Sequence, residues 1–540
     1  MSQLPDYVAS AKPNPFENRA PWLTTTAATY AGIMLWFAFW TNLPGAGGES
    51  GGVLSQGLLF ALAALVVAAF ICYFCFYHVP GMLGMKTGLP LYIVGTSTYG
   101  VQGGFIMPGF AMGCLQFGWL SVNGYFAGLG FAVLAGSGAG SFLHIIIGVI
   151  WAVVAAFIGL KGIKYVGAVA SYMPIIPIVA LLGLLLATIG GVFKFDPGPF
   201  YGAKNTEVKM LLTVEPNIAV PAGMVAQDAN VEGGPESEPA VPNVTVVVEE
   251  ITVEAPVILV EAAEIDGTIA TIPATTSSTI GIFGKAGKPG SLAGQLGVLA
   301  MVCAMVVGFF ATAGAAGCDF GSNNKDRNAV IYGGLVGIVL ATIFAGGIAL
   351  IAIAGAQGLG NIAATDLKPY DSMREIMGST FGGLFILLLA FAAFPSACFS
   401  SLIAANSFKA TLPKVNPFIS CGIGTAVACL LIATGLAGKA EAVFGFIGAS
   451  FGPVCGAMMA DYFLSGKKWA GPRAGFNPAG WISWGVGFAV GGLPLLGILS
   501  DVIPCPPVSA FIVGFGLYWI LAQAGLESKK LDMPQRIDLE

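Results

Sequence analysis

The sequence predicts an all-α polytopic membrane protein of twelve spans, built as two five-helix blocks with two further helices after them. Three observations carry this. The 540-residue chain is 56% hydrophobic and only 9% charged, with a mean hydropathy of +0.83, and a soluble protein of this size needs far more surface charge. Its apolar runs have helix length rather than the ten-residue alternation of barrel strands. Stretches rich in Gly and Ala open both blocks, and an odd number of helices per block forces the second to insert upside down relative to the first, the condition for an inverted repeat.

Residues 1–22 are polar and contain Pro. They lack the basic-then-apolar layout of a cleaved signal peptide and read as a cytoplasmic tail. Spans are expected near 23–43, 53–77, 106–132, 141–160, 166–192, 291–315, 329–355, 380–405, 416–436, 442–464, 480–499 and 506–524. Each is about long enough for a ~30 Å hydrocarbon core at ~1.5 Å per residue. The first block is 23–192, the second 291–464, and 465–524 holds the last two helices. With both termini inside, 15 of the 23 Lys and Arg lie on the inner side, which supports that orientation. Five of the remaining eight lie in or beside one long insertion, where the rule has little force. The expected location is the plasma (cytoplasmic) membrane, as a multi-pass protein with cytoplasmic N- and C-termini; residues 525–540 form the second tail.

The insertion, 193–290, carries 13 of the 28 acidic residues. Its middle alternates Val, Ile and Thr with acidic or small residues, which suggests a small extracytoplasmic β module, with a disordered acidic loop as the alternative. Asn243 to Thr245 fits a glycosylation sequon, a cheap match. The polar segment between the seventh and eighth spans reads as a short outer helix.

The third span carries an unusual face. Gln116, Trp119 and Asn123 are three and four residues apart and share one stripe. Two amides around an indole, buried in a bundle, can stack on a flat ring and hydrogen-bond its edge. In the first span, an aromatic cluster runs into Pro and Gly near 35–48; in the sixth, Gly308 to Asn324 is loaded with Gly, Ala and Thr. These are candidate broken helices, whose unwound backbone would offer polar groups at mid-membrane depth; close helix packing is the alternative reading of the same residues. Enzyme chemistry is not expected. The two histidines, His78 and His144, sit at membrane edges, and no metal-spaced cluster or phosphate loop occurs. Asp319, Asp461 and Asp501 fall at span ends and read as solvated carboxylates. The ten cysteines lie mostly in apolar runs and imply no disulfide framework.

Several segments resemble the cytosine-permease branch of the nucleobase–cation symporter family. One runs from Lys86-Thr87-Gly88-Leu89 through Ser97 to Gly103 (STYGVQG) to Gly118-Trp119. Another is Gly308 to Gly314 (GFFATAG) with Asp319-Phe320 and a basic loop after it. A third is Gly452 to Phe463 (GPVCGAMMADYF), a basic stretch, and Phe476 to Trp481 (FNPAGW). The likeness covers the twelve helices in order, apart from the insertion. It implies the leucine-transporter-type fold, a five-plus-five inverted repeat with the first and sixth helices broken. It further implies that a planar heterocycle stacks on Trp119, with Asn123 one turn on. Phe309, Phe310 and Thr312 would contribute from the sixth helix, Phe310 as the second slice of an aromatic sandwich. The first-helix contact falls near Leu35 or Trp36. The family's sodium site maps to Ala392, Pro395 and Ser396, and this chain departs from the pattern there, because Pro395 has no hydroxyl. Ser400 or Ser401 would then supply the polar contact of the eighth helix.

The resulting expectation is a secondary active transporter that imports a nucleobase or a related planar heterocycle by cation-coupled alternating access. Its partners are that substrate, a coupling cation (Na+ or H+) and the lipid bilayer, with no nucleic acid and no cofactor. The rival is a transport-inactive receptor or sensor that uses the extracytoplasmic insertion.

Overall fold

A chain in lipid has no water to satisfy its backbone, so each N–H must find a carbonyl within its own segment, and long apolar runs become helices. The computed structural model describes residues 4–27, 52–162, 165–166, 175–201, 291–362, 370–500, 502–503 and 505–533. Among them, nine helices are long and apolar enough to cross a membrane, and two shorter apolar helices accompany them. The described residues hold no sheet, only the isolated bridges Ala20–Asn324 and Arg473–Lys530. Most of the first span, most of the insertion with its sequon, and Asp501 lie outside the described residues.

In chain order the helices are α1 (Leu58–Thr87), α2 (Thr96–Leu134), α3 (Phe142–Lys161), α4 (Ile175–Thr188), α5 (Leu292–Ala315), α6 (Arg327–Gly358), α7 (Asp371–Ala392), α8 (Phe394–Thr411), α9 (Pro417–Ala433), α10 (Ala440–Leu464), α11 (Pro478–Gly492) and α12 (Pro506–Gln523). Each matches one of the expected spans from the second onward, except that the eighth is divided into α7 and α8. The division falls at Ala393. Pro395 has no N–H to give the carbonyl four residues back, so the ladder breaks just before it.

Helices of the first block pack against their counterparts five spans on: α1 on α6, α2 on α8, and α3 on α9. The counterparts α1 and α6 also each carry a π-helical segment, Cys72–Tyr77 and Leu335–Leu340, and these two segments touch. This pairing is what a two-fold axis in the membrane plane produces. A second apolar cluster, separate from the main core, gathers Phe117, Ala152, Cys398, Phe399 and Ala428 where α2, α3, α8 and α9 meet. The main core joins α1, α5, α6 and α10.

One expectation is sharpened and two are corrected. The interruption expected within Gly308 to Asn324 falls at Ala316: α5 runs to Ala315, and a short helix, Gly317–Gly321, follows the turn. The small residues before it serve close packing. A Cβ on Gly314 would lie 2.6 Å from Phe76 Cβ, and one on Gly308 would lie 3.0 Å from the Phe444 carbonyl oxygen. Asp461 is not solvated. It is 3% exposed and paired with Arg473, 3.0 Å away and itself 1% exposed. The third-span helix begins at Thr96 rather than near 106, with an interruption at Gly100 (φ 81°). A side chain there would collide with the Gly475 carbonyl, so the loop before α11 lies directly on this break.

Both described termini sit at the same end of the bundle. Arg19 donates to the Met85 carbonyl at 2.8 Å, Asn14 N–H to the Gly88 carbonyl at 2.8 Å, and the Tyr7 hydroxyl to the Val101 carbonyl. From the other terminus, Glu527 accepts from Arg473 at 2.6 Å and from Tyr518 at 2.9 Å.

Candidate functional site: a cavity between α2, α5 and α8

The stripe on α2 faces a cavity lined by Gln116 and Trp119 from α2, Thr312 and Ala313 from α5, and Ser396, Phe399, Ser400 and Ile403 from α8. The α8 contribution is itself a helical stripe, with spacings of three, four and seven from Ser396. The space is small: the centre of a water molecule has about 20 Å³ to move in. That holds a water, and a heterocycle needs the walls to part.

Trp119 is 3% exposed. Its indole N–H donates to the Thr312 hydroxyl at 3.2 Å, joining α2 to α5. Its ring meets Phe309 edge-on at 5.9 Å and Phe444 at 5.3 Å. These contacts fix the plane of the indole. Asn123 is fully buried and doubly held. Its NH₂ donates to the Trp119 carbonyl at 2.9 Å, and its carbonyl oxygen accepts from the Ser396 hydroxyl at 2.8 Å. Ser396 Oγ also lies 2.9 Å from the Ala393 carbonyl. A hydroxyl has one hydrogen, so the two acceptors share it. Gln116 makes a single hydrogen bond, from its NH₂ to the Met112 sulphur at 3.5 Å.

The remaining sequence candidates are placed as follows. Ser400 lines the cavity and donates to the Ser396 carbonyl at 3.0 Å. Ser401 is buried on another face of α8, against Gly159 of α3, and does not line the cavity. Phe309 braces Trp119 from behind. Phe310 is fully buried beside Gly314 and is not a lining residue. Ala392 is half-buried and ends α7 at the chain break. Leu35 and Trp36 lie outside the described residues. Among the described residues no cluster of His, Cys, Asp or Glu could hold a metal ion. Near the Ala393 break, the Ser396 hydroxyl is shared between Asn123 and the Ala393 carbonyl, and Pro395 removes the α-helical donor of one carbonyl, that of Phe391.

Sequence reasoning missed Phe444, Phe399 and Ile403. Phe444 comes from α10, and no spacing within α2 or α5 points to it. Phe399 and Ile403 were legible as the partners of Ser396 and Ser400 on one helix face.

Twelve packed helices among the described residues, with a polar cavity between them, define a multi-pass membrane protein of the leucine-transporter-type fold. Residues 245–470 match the family described as "Permease for cytosine/purines, uracil, thiamine, allantoin". Among solved structures, the inward-facing conformation of Mhp1 aligns with a TM-score of 0.59 at 13% identity, over 95% of this chain and 94% of that one. Mhp1 in a closed conformation with bromovinylhydantoin bound, titled a nucleobase-cation-symport-1 family transporter, aligns with a TM-score of 0.55 at 12% identity, over 96% of each chain. No curated protein matches the chain in sequence. The family match covers less than half of the chain and is to permeases; the likeness to Mhp1 shows the fold. The family match begins at 245, inside the insertion that sequence reading had set apart from the family.

Proposed function

We propose that this protein imports a nucleobase or a related planar heterocycle by cation-coupled alternating access, with both termini in the cytoplasm of a cell bounded by that membrane. The observation that supports it best is the Trp119 ring, held in a fixed plane at the wall of a cavity between α2, α5 and α8. A braced indole with hydroxyls and an amide around it suits a flat polar ring better than an aliphatic or strongly charged solute. The first-helix residues Leu35 and Trp36 complete the site in this reading, and Na+ or H+ is the coupling cation, with Ser396 and the Ala392 carbonyl as ligands in the sodium case. Coupling requires that the ion and the substrate each bind one conformation better than the other.

Uptake of radiolabelled cytosine, uracil, hypoxanthine and allantoin into proteoliposomes tests the reading, with and without a sodium gradient. Trp119→Ala should abolish accumulation of whichever ring is taken up. Equal uptake by wild type and variant would remove Trp119 from the site.

A further inference from the structure

The two amides of the α2 stripe are not equivalent. Asn123 spends its oxygen on Ser396 and one N–H on the Trp119 carbonyl, and it does not line the cavity. Gln116 is 4% exposed, lines the cavity, and gives only one N–H, to a thioether sulphur at 3.5 Å. Sulphur is a weak acceptor, so this bond orients the amide more than it satisfies it. Among the described residues the carboxamide oxygen and the second N–H of Gln116 have no protein partner. They form one edge, an acceptor beside a donor, on a residue that lines the cavity. A matching ligand can pair with both groups at once.

Distance separates the two amides further. Gln116 and Asn123 are seven residues apart, about 10 Å along the helix axis, with Trp119 between them, and of the two it is Gln116 that lines the cavity.

We propose that Gln116 is the specificity-determining residue of this site, and that it selects heterocycles presenting an N–H next to a C=O. Such a lactam edge donates to the Gln116 oxygen and accepts from its free N–H, two parallel bonds in one plane. The Ser400 hydroxyl, whose hydrogen is given to the Ser396 carbonyl, offers a lone pair to a second ligand N–H. Asn123 is a positioning residue in this arrangement: it holds the Trp119 turn of α2 to α8 through Ser396. The inference rests on the reading of the cavity as a flat-ring site.

The test uses the purified full chain and a thermal-shift and uptake panel of matched pairs: uracil with 1,3-dimethyluracil, and hydantoin with 1,3-dimethylhydantoin. Methylation keeps the flat ring and removes the N–H. Wild type should prefer the unmethylated member by at least about tenfold in apparent affinity, because a site left with unpaired polar groups discriminates strongly. In Gln116→Leu, which keeps the bulk and removes the edge, the two members of each pair should fall within about threefold. Equal affinities in wild type, or undiminished discrimination in Gln116→Leu, would overturn the role of Gln116 while leaving the flat-ring reading intact. Should Gln116→Leu fail to fold, Gln116→Met takes its place with the same expected and refuting outcomes. Failure of every heterocycle to bind wild type would overturn the flat-ring reading and this inference with it.

Discussion

The hydrogen bond from Trp119 to Thr312 can be weighed by removing each partner in turn. Thr312→Val keeps the shape and the β-branching and deletes only the hydroxyl. Both residues are almost fully buried, at 3% and 1% exposure, so the lost acceptor is replaced at best by a water in the adjoining cavity. The indole N–H loses its fixed partner, a cost of up to about 1–3 kcal/mol. Trp119→Phe removes the donor instead. It loses the net bond, about 1 kcal/mol, and some packing against Phe309 and Phe444, but leaves no buried donor unpaired. Thr312→Val introduced into Trp119→Phe should therefore cost only a few tenths of a kcal/mol (~0.3). Unfolding of the purified protein by graded SDS in mixed micelles, with linear extrapolation, measures all four corners of this cycle. Equal cost of Thr312→Val in the two backgrounds would refute the reasoning, because the bond would then contribute nothing. The bond also joins α2 to α5 across the cavity, so its loss falls on the arrangement in which these helices touch. A penalty of ~1–3 kcal/mol shifts a two-state equilibrium about 5- to 150-fold.

Two further predictions concern the end of the bundle where the termini meet. Arg473 donates to Asp461, to the Ser97 carbonyl and to Glu527. Arg473→Met should destabilise by about 3–5 kcal/mol, since it leaves the Asp461 carboxylate buried and unpaired; Ser97 and Thr98 hydroxyls on that carboxylate put the effect at the low end. Adding Asp461→Leu should recover part of the loss in the same SDS titration, and no recovery would mean the pair is not what Arg473 supports. Asp319 lies beyond the end of α5 and accepts the Leu91 N–H at 3.0 Å. Burial pushes its carboxyl up to about 6, with the Leu91 N–H opposing. The folded protein then holds this proton more tightly than the unfolded chain, so this group's contribution to stability falls as pH rises from about 4 to 6. Asp319→Asn keeps an acceptor for Leu91 and removes the titration. The melting temperature of wild type relative to this variant should decline across that window and level off above pH 7; a constant difference would contradict the shift.

Local periodicity made part of the site legible. Gln116, Trp119 and Asn123 share a face by helix geometry alone, and Thr312 was reached through the family motif GFFATAG. What periodicity could not show is how the amides are used. Asn123 is tied to Ser396, 273 residues away in sequence, and only the packing of α2 on α8 reveals it. Phe444 was hidden for the same reason. At α5, composition marked the window but not the position: Gly308 and Gly314 make close helix contacts, and the interruption falls just after them at Ala316. Charge position misled at Asp461. A carboxylate at a span end is ordinarily hydrated, but the 465–477 loop folds back over Gly100 and brings Arg473 to it. That return depends on a left-handed glycine and a loop path, neither of which leaves a periodic trace.

The size of the cavity and the placement of its bonds point to one seam. A space in which a water centre has about 20 Å³ cannot take a ring until its walls part. Trp119 to Thr312 is a hydrogen bond that crosses from α2 to α5, while Asn123 to Ser396 ties α2 to α8. Trp119, the stacking residue of the proposed function, is thus held through its carbonyl by Asn123 and latched to α5 through its N–H. Parting the seam breaks the latch and withdraws Phe309, leaving the indole packed on Phe444. A ring that then stacks on Trp119 and pairs with Gln116 would refill the space, and closure over it would remake the Thr312 bond. Substrate and latch would in that sequence favour the same closed state, which is the differential interaction that alternating access requires.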